Sequence, residues 1–412
     1  MAIPVHQIDS KGDILLCFPG SVRESVESPQ GNQAEAHDPW SPAPRAASIS
    51  RANPAETPED DRHFMHGNIH EEVGPISLQV SSSVLCLISP VFSAMLHGPM
   101  AEGQGFRAPN SPRPFPITLP EDNGHLFQIL ANVVHHRSEA IPVLPSTADL
   151  VALAGLADKY DCVAALMPYG VIWLQRAEEA DIVARNPEYS GLLGRSNQLL
   201  FAYALDLPTQ FAQISWQILL MHCQLLKYET QHGLELPIPP DHDLLRHDLN
   251  GELARRKARL RRDIQAALMD PVSQVTRQLS SHGRGSEIHP TCPNAALAIG
   301  NYMALLERFN LSPWRPQFET DSFSAIITRA LEVAQSARDD PYLFFQMCSR
   351  HRCACDNIRY GQQVHLAKKL LHNLETAWDW KLWACLDCLK NRREDDLKDG
   401  EEEERKCRVK HW

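Results

Sequence analysis

No stretch of this 412-residue chain reaches the run of about 18 apolar residues that a bilayer span requires. The opening segment, Met1 to Asp13, has neither the basic start nor the continuous apolar core of a secretory signal. A chain without a membrane partner, placed in the cytoplasm, the nucleus or both, is expected. A disulfide framework is missing too: the eleven cysteines are an odd number with no dense spacing before residue 348, which predicts reduced thiols. Positive charge is in deficit, and the net charge of −11 argues against a chain that coats nucleic acid. There is no Walker loop, no metalloprotease helix motif, no Gly-x-Ser-x-Gly elbow and no paired carboxylates in a recognisable setting, so a non-catalytic protein is expected.

What is present is enough apolar material, 43% of residues, for two or three domains with real cores. The most informative block is 76–98. Ile76, Leu78 and Val80 alternate with Ser77, Gln79 and Ser81, as a strand with one buried face requires. Leu85 and Ile88 then change the period to helical. Ser89 is suited to accept a hydrogen bond from the start of the next helix, and Pro90 suits its first position, where no amide donor is needed. That second helix carries Val91, Phe92, Met95 and Leu96.

Three further segments fall in register with this block. A Gly12-Asp13 pair precedes the apolar run Ile14-Leu15-Leu16. Phe115 to Thr118 reads as a strand leading through Leu119-Pro120-Glu121-Asp122 into a helix with Leu126, Ile129, Leu130 and Val133 on one face. Ser146 and Asp149 stand in capping-box spacing before Leu150, Leu153, Ala154 and Ala157, followed by Asp158-Lys159-Tyr160-Asp161-Cys162.

In order and wording these pieces resemble the BTB/POZ family, whose signature is a strand, a leucine-bearing helix and Ser-Pro-x-Phe. They look most like its filamentous-fungal members, which carry a helical C-terminal extension. The resemblance implies an α+β fold: a short β-sheet capped by helices, followed by a mostly α-helical region. It also implies a homodimer formed through the first strand and first helix, here Ile14, Leu16, Leu85 and Phe92. A scaffold or adaptor with protein partners follows from it, including a substrate adaptor presenting them to a cullin ubiquitin ligase, although no convincing cullin-binding motif is found. Animal transcriptional members pair an aspartate with a histidine and a basic residue in a charged pocket. Asp13 fits the first position, but Ser81 and Ser82 occupy the others, so co-repressor binding of that type does not carry over.

The chain divides into 5–18 plus 76–170 for the BTB-like unit, an insertion at 19–75, a helical extension at 171–280, a helical region at 281–390 and a charged tail at 391–412. The insertion is rich in Pro, Ser, Ala and Glu, and is expected to be disordered, as is the tail. A smaller insertion is expected from Gln104 to Pro114. It contains Gly103-Gln104-Gly105 at its border, which follows no strand and is discounted as a phosphate loop. Leu192 to Ala204, Phe211 to Leu225 and Leu244 to Leu279 are predicted helices, with Pro208 separating the first two.

Two clusters carry candidate chemistry. Arg255, Arg256, Arg259 and Arg262 form a basic patch, three of them on one helix face, suited to phosphates or an import receptor. A nuclear transcription or chromatin regulator is the alternative reading it supports. Against it, Asp248, Glu252 and Asp263 stand at pairing distance and no aromatic residue interleaves, which speaks against nucleic-acid contact. Cys353, Cys355, Cys385 and Cys388 are zinc candidates, with Cys348 and His351 nearby; the alternative is that Cys385 and Cys388 are core thiols. No other cofactor is expected. His135-His136 are read as structural or exposed, and the Trp378, Trp380, Trp383 group as core packing.

Overall fold

The computed structural model describes residues 3–20, 74–184, 191–221, 242–280, 293–316, 318, 321–345, 364–378, 384–390 and 407–408. The fold is α+β, with a small four-stranded sheet and a majority of helix. Strands β1 (Val5–Gln7), β2 (Ile14–Phe18), β3 (Ile76–Val80) and β4 (Phe115–Thr118) lie in the order β1-β3-β2-β4. β3 runs antiparallel to β2, pairing Ile14 with Val80, Leu16 with Leu78 and Phe18 with Ile76. All six side chains are buried on one face, because a period of two places alternate residues on the same side. The two strands that flank the 19–75 segment are therefore direct neighbours; apart from its first and last two residues, that segment lies outside the described residues.

After β3 the chain forms α1 (Ser82–Ile88), α2 (Pro90–His97) and α3 (Ala101–Arg107). The break between α1 and α2 is as the sequence predicts: Ser89 accepts from the Phe92 amide at 3.1 Å, and Pro90 takes the first helical position. The smaller insertion does not hold as expected, since Gln104 to Arg107 complete α3. Two glycines allow close packing of this helix: a Cβ on Gly103 would stand 2.7 Å from the Met95 carbonyl oxygen of α2, and one on Gly105 would meet the ring of Phe115, at the start of β4 (Phe115–Thr118).

Helices α4 (Gly124–Val134), α5 (Thr147–Lys159), α6 (Val163–Ala184), α7 (Leu192–Ala204) and α8 (Pro208–Met221) follow. Ser146 caps α5 by accepting from the Asp149 amide at 3.1 Å. Asp161, in the left-handed region with φ 49°, ends it. Next come α9 (Leu249–Ser280), α10 (Pro293–Arg308) and α11 (Phe323–Ser336). A two-stranded pair, β5 (Phe344–Phe345) and β6 (Val364–His365), precedes α12 (Leu366–Trp378) and the short α13 (Leu386–Lys390). Leu225, Trp380 and Trp383 lie outside the described residues.

Packing divides the chain at a different place from the boundaries expected at 170/171 and 280/281. One continuous core joins the sheet to α1, α2 and α4–α8, and includes Leu249, Leu253, Leu386 and Leu389. A second core gathers Leu260, Ile264, Leu268 and Val275 with α10, α11 and α12. The division falls inside α9, whose apolar stripe continues across both, and α13 returns the chain to the first core.

Candidate functional site

The junction between β3 and α1 is built from polar groups that come from elsewhere in the chain. The first amides of a helix lack intrahelical acceptors, and the Ser81 side chain does not cap α1. Asp13 does so from β2: its carboxylate accepts from the Ser82 amide at 2.8 Å and the Ser82 hydroxyl at 2.7 Å. Gly12 brings it there, since a Cβ at that position would stand 2.6 Å from the Val80 carbonyl oxygen. His135, at the end of α4, supplies the other acceptor. Its Nε2 lies 3.1 Å from the Ser81 amide and its Nδ1 2.9 Å from the Ala131 carbonyl. This geometry fixes a neutral tautomer with the proton on Nδ1, and burial depresses the histidine pKa. Arg113 approaches Asp13 at 4.0 Å. Asp13 is thus committed to Ser82 and to a guanidinium. His136 takes a left-handed backbone, φ 57°.

The Ser-Pro-x-Phe segment is held from the other side. Phe92 stacks on Tyr160 with centroids 4.7 Å apart and meets Phe127 edge-on at 6.1 Å. The Ser89 hydroxyl donates to the Tyr160 carbonyl at 2.5 Å. The Tyr160 hydroxyl donates to Asp122 at 2.5 Å, and Lys159 donates to the same carboxylate at 2.8 Å. Burial, then the bond to Asp122, raises the tyrosine pKa. The Leu119 to Asp122 and Asp158 to Cys162 segments therefore lock to each other and to the α1–α2 break. Beneath α1 they leave a cavity of only about 10 Å³, lined by Leu85, Phe92, Phe127 and Tyr160 among others, which is below the size of any organic ligand.

The structure corrects the expected dimer contact. Ile14, Leu16, Leu85 and Phe92 all sit inside the protomer's own core, none more than 2% exposed. They cannot meet a partner without unfolding the sheet. On the same block Leu87 is 85% exposed, and Val84, Ile88 and Val91 beside it are half-buried, packing in part against the core. Sequence reasoning missed Leu87 because it lies two positions from Leu85 and so falls off the buried helical stripe.

In the basic patch, Arg255, Arg259 and Arg262 are exposed on one side of α9, as the helical spacing predicts. Carboxylates meet three of the four arginines. Glu252 takes Arg255 at 3.1 Å and Arg256 at 2.8 Å, and Asp263 lies 3.8 Å from Arg259.

The cysteine expectation is altered. Cys353 and Cys355, with Cys348 and His351, lie outside the described residues. Cys385 and Cys388 are brought together by one turn at α13, but with Cys407 from the tail, and the three sulfurs lie within 4.8 Å of one another. The tail is therefore placed at Cys407 and Arg408. Arg408 donates to Asp206 at 2.6 and 2.9 Å and to Asp387 at 2.7 and 2.9 Å, while Lys390 reaches Asp206 at 2.8 Å. The Arg408 guanidinium, with Lys390, holds the Asp206 carboxyl down to about 2. Compared with known proteins, the chain matches no protein-family description, no curated protein and no solved structure.

Proposed function

We propose that this chain is a non-catalytic interaction protein with a BTB/POZ-like N-terminal unit, self-associating through the outer side of α1 and presenting protein partners through its helical half. The observation that carries the reading is the apolar set Val84, Leu87, Ile88 and Val91, with Leu87 almost wholly in water. An exposed leucine beside half-buried apolar neighbours gains from being covered by a like surface. The occupant is a second copy: a two-fold contact needs only one self-complementary patch on each subunit. The block beneath is fixed by Asp13, His135, Ser89 and Phe92, so little ordering cost is added on association.

Sedimentation of the full chain at micromolar concentration tests this. A dimer of the 46.3 kDa chain is expected, with Leu87→Glu and Val84→Glu giving monomers of unchanged helix content. A wild-type monomer would overturn it. Adaptor action on a cullin ligase is the proposed consequence, and its test is co-purification of a cullin with wild type, reduced in the monomeric variants. Chromatin contact through α9 is the weaker reading, because Glu252 and Asp263 already neutralise much of the arginine face.

A further inference from the structure

The geometry points to a thiolate metal site at Cys385, Cys388 and Cys407, binding Zn²⁺ and fastening the tail to the end of the first core. Three sulfurs within 4.8 Å of one another can meet at one ion, since Zn–S bonds of about 2.3 Å set S···S separations near 3.8 Å in a tetrahedron. Cys388 and Cys407 stand 3.5 Å apart although 19 positions separate them in sequence. That distance is far beyond a disulfide bond of about 2.05 Å.

The surroundings favour convergence of these thiols. Cys385 is buried and the other two are half-buried, so water is largely excluded. The backbone on both sides is anchored. The Ala384 amide donates to Ser215 in α8 at 3.0 Å, Leu386 and Leu389 fill the core, and the Arg408 amide donates to Asp387 at 2.6 Å. The Cys385-x-x-Cys388 spacing puts two ligands on the same side of one turn. A divalent ion would take the three sulfurs as thiolates and release three protons to solvent. Soft sulfur donors select zinc over magnesium or calcium. The fourth corner is left to water.

Elemental analysis of the full-length protein, purified with reductant and without chelator, tests the site. About one zinc per chain is expected, falling at least fivefold in Cys388→Ser and in Cys407→Ser but not in Cys86→Ser, a half-buried thiol of α1. Replacement by cobalt gives an independent reading that needs no variant: an intense near-ultraviolet thiolate band and strong visible bands of a four-coordinate ion. Less than half an equivalent of zinc in the wild type would overturn the proposal. So would zinc that survives the Cys388→Ser, Cys407→Ser double variant, which would place it elsewhere. A wild-type mass lower by two hydrogens with no bound metal would overturn it as well, by showing a disulfide.

Discussion

Replacing Phe92 with alanine separates the core role of the Ser-Pro-x-Phe segment from a surface role. The ring is 2% exposed, stacked on Tyr160 and edge-on to Phe127. Removing it deletes the apolar burial and adds its volume to a cavity of about 10 Å³ that already lies beneath α1. Large-to-small changes of this kind cost about 3–5 kcal/mol, and each lost aromatic pair accounts for about 0.5–1.5 kcal/mol. That is a large share of the about 5–15 kcal/mol typical of a folded domain. In a urea titration followed by circular dichroism, with a slope of about 2 kcal/mol per molar, the transition of the N-terminal core should fall by about 1.5–2.5 M. Leu87→Ala, on the same block but exposed, should change it by less than about 0.5 kcal/mol. A loss below about 1 kcal/mol for Phe92→Ala would refute the stack, and equal losses for both variants would refute the division between inner and outer sides.

Other outcomes follow from the same contacts. His135 is neutral in the folded chain and its pKa lies below the unfolded value of about 6.5, so the unfolded state takes up the proton first. Stability should be complete above about pH 6.5 and fall as pH drops toward the folded value; His135→Gln should flatten the urea midpoint in that window, and an unchanged slope would contradict the tautomer assigned. Asp13→Ala removes the acceptor for both Ser82 donors and should cost about 1–2 kcal/mol, read as faster hydrogen exchange at the Ser82 amide. Deleting residues 21–73 leaves Pro19, Gly20, Gly74 and Pro75 to join Phe18 to its neighbour Ile76. The smaller loop-closure entropy should raise stability by about 2 kcal/mol, and a chain that no longer folds would show that the segment contributes to the core.

The parts legible in the sequence are those in which one local rule decides the outcome. Alternation marks β3 and an apolar run after Gly12-Asp13 marks β2, and the two pair across the 19–75 segment. Ser89-Pro90 and Ser146 mark helix starts through hydrogen bonds that span three residues or fewer. The dimer contact was placed on Ile14, Leu16, Leu85 and Phe92 because hydrophobic periodicity reports burial without saying whether the cover is the same chain or another one. α3 escaped notice because Gly103 and Gly105 read as loop residues; the approach of α2 explains the first and the Phe115 ring of β4 the second. Cys407 and Arg408 were assigned to a charged tail, since nothing near them in sequence reveals that Asp206 and Asp387 converge there. His135 was read as structural or exposed, but its acceptor role at Ser81 depends on a contact 54 positions away.

The 32 residues of α9 have a mechanical consequence. At 1.5 Å per residue the helix is about 48 Å long. Leu249 and Leu253 are embedded in one core, and Leu260 to Val275 in the other. Two halves joined in this way do not swing on a tether. Relative movement must bend a hydrogen-bonded rod or tear an apolar stripe from one of its seats. The second core is thereby held at a set distance from the sheet, as by a spar, with reach fixed by helix length.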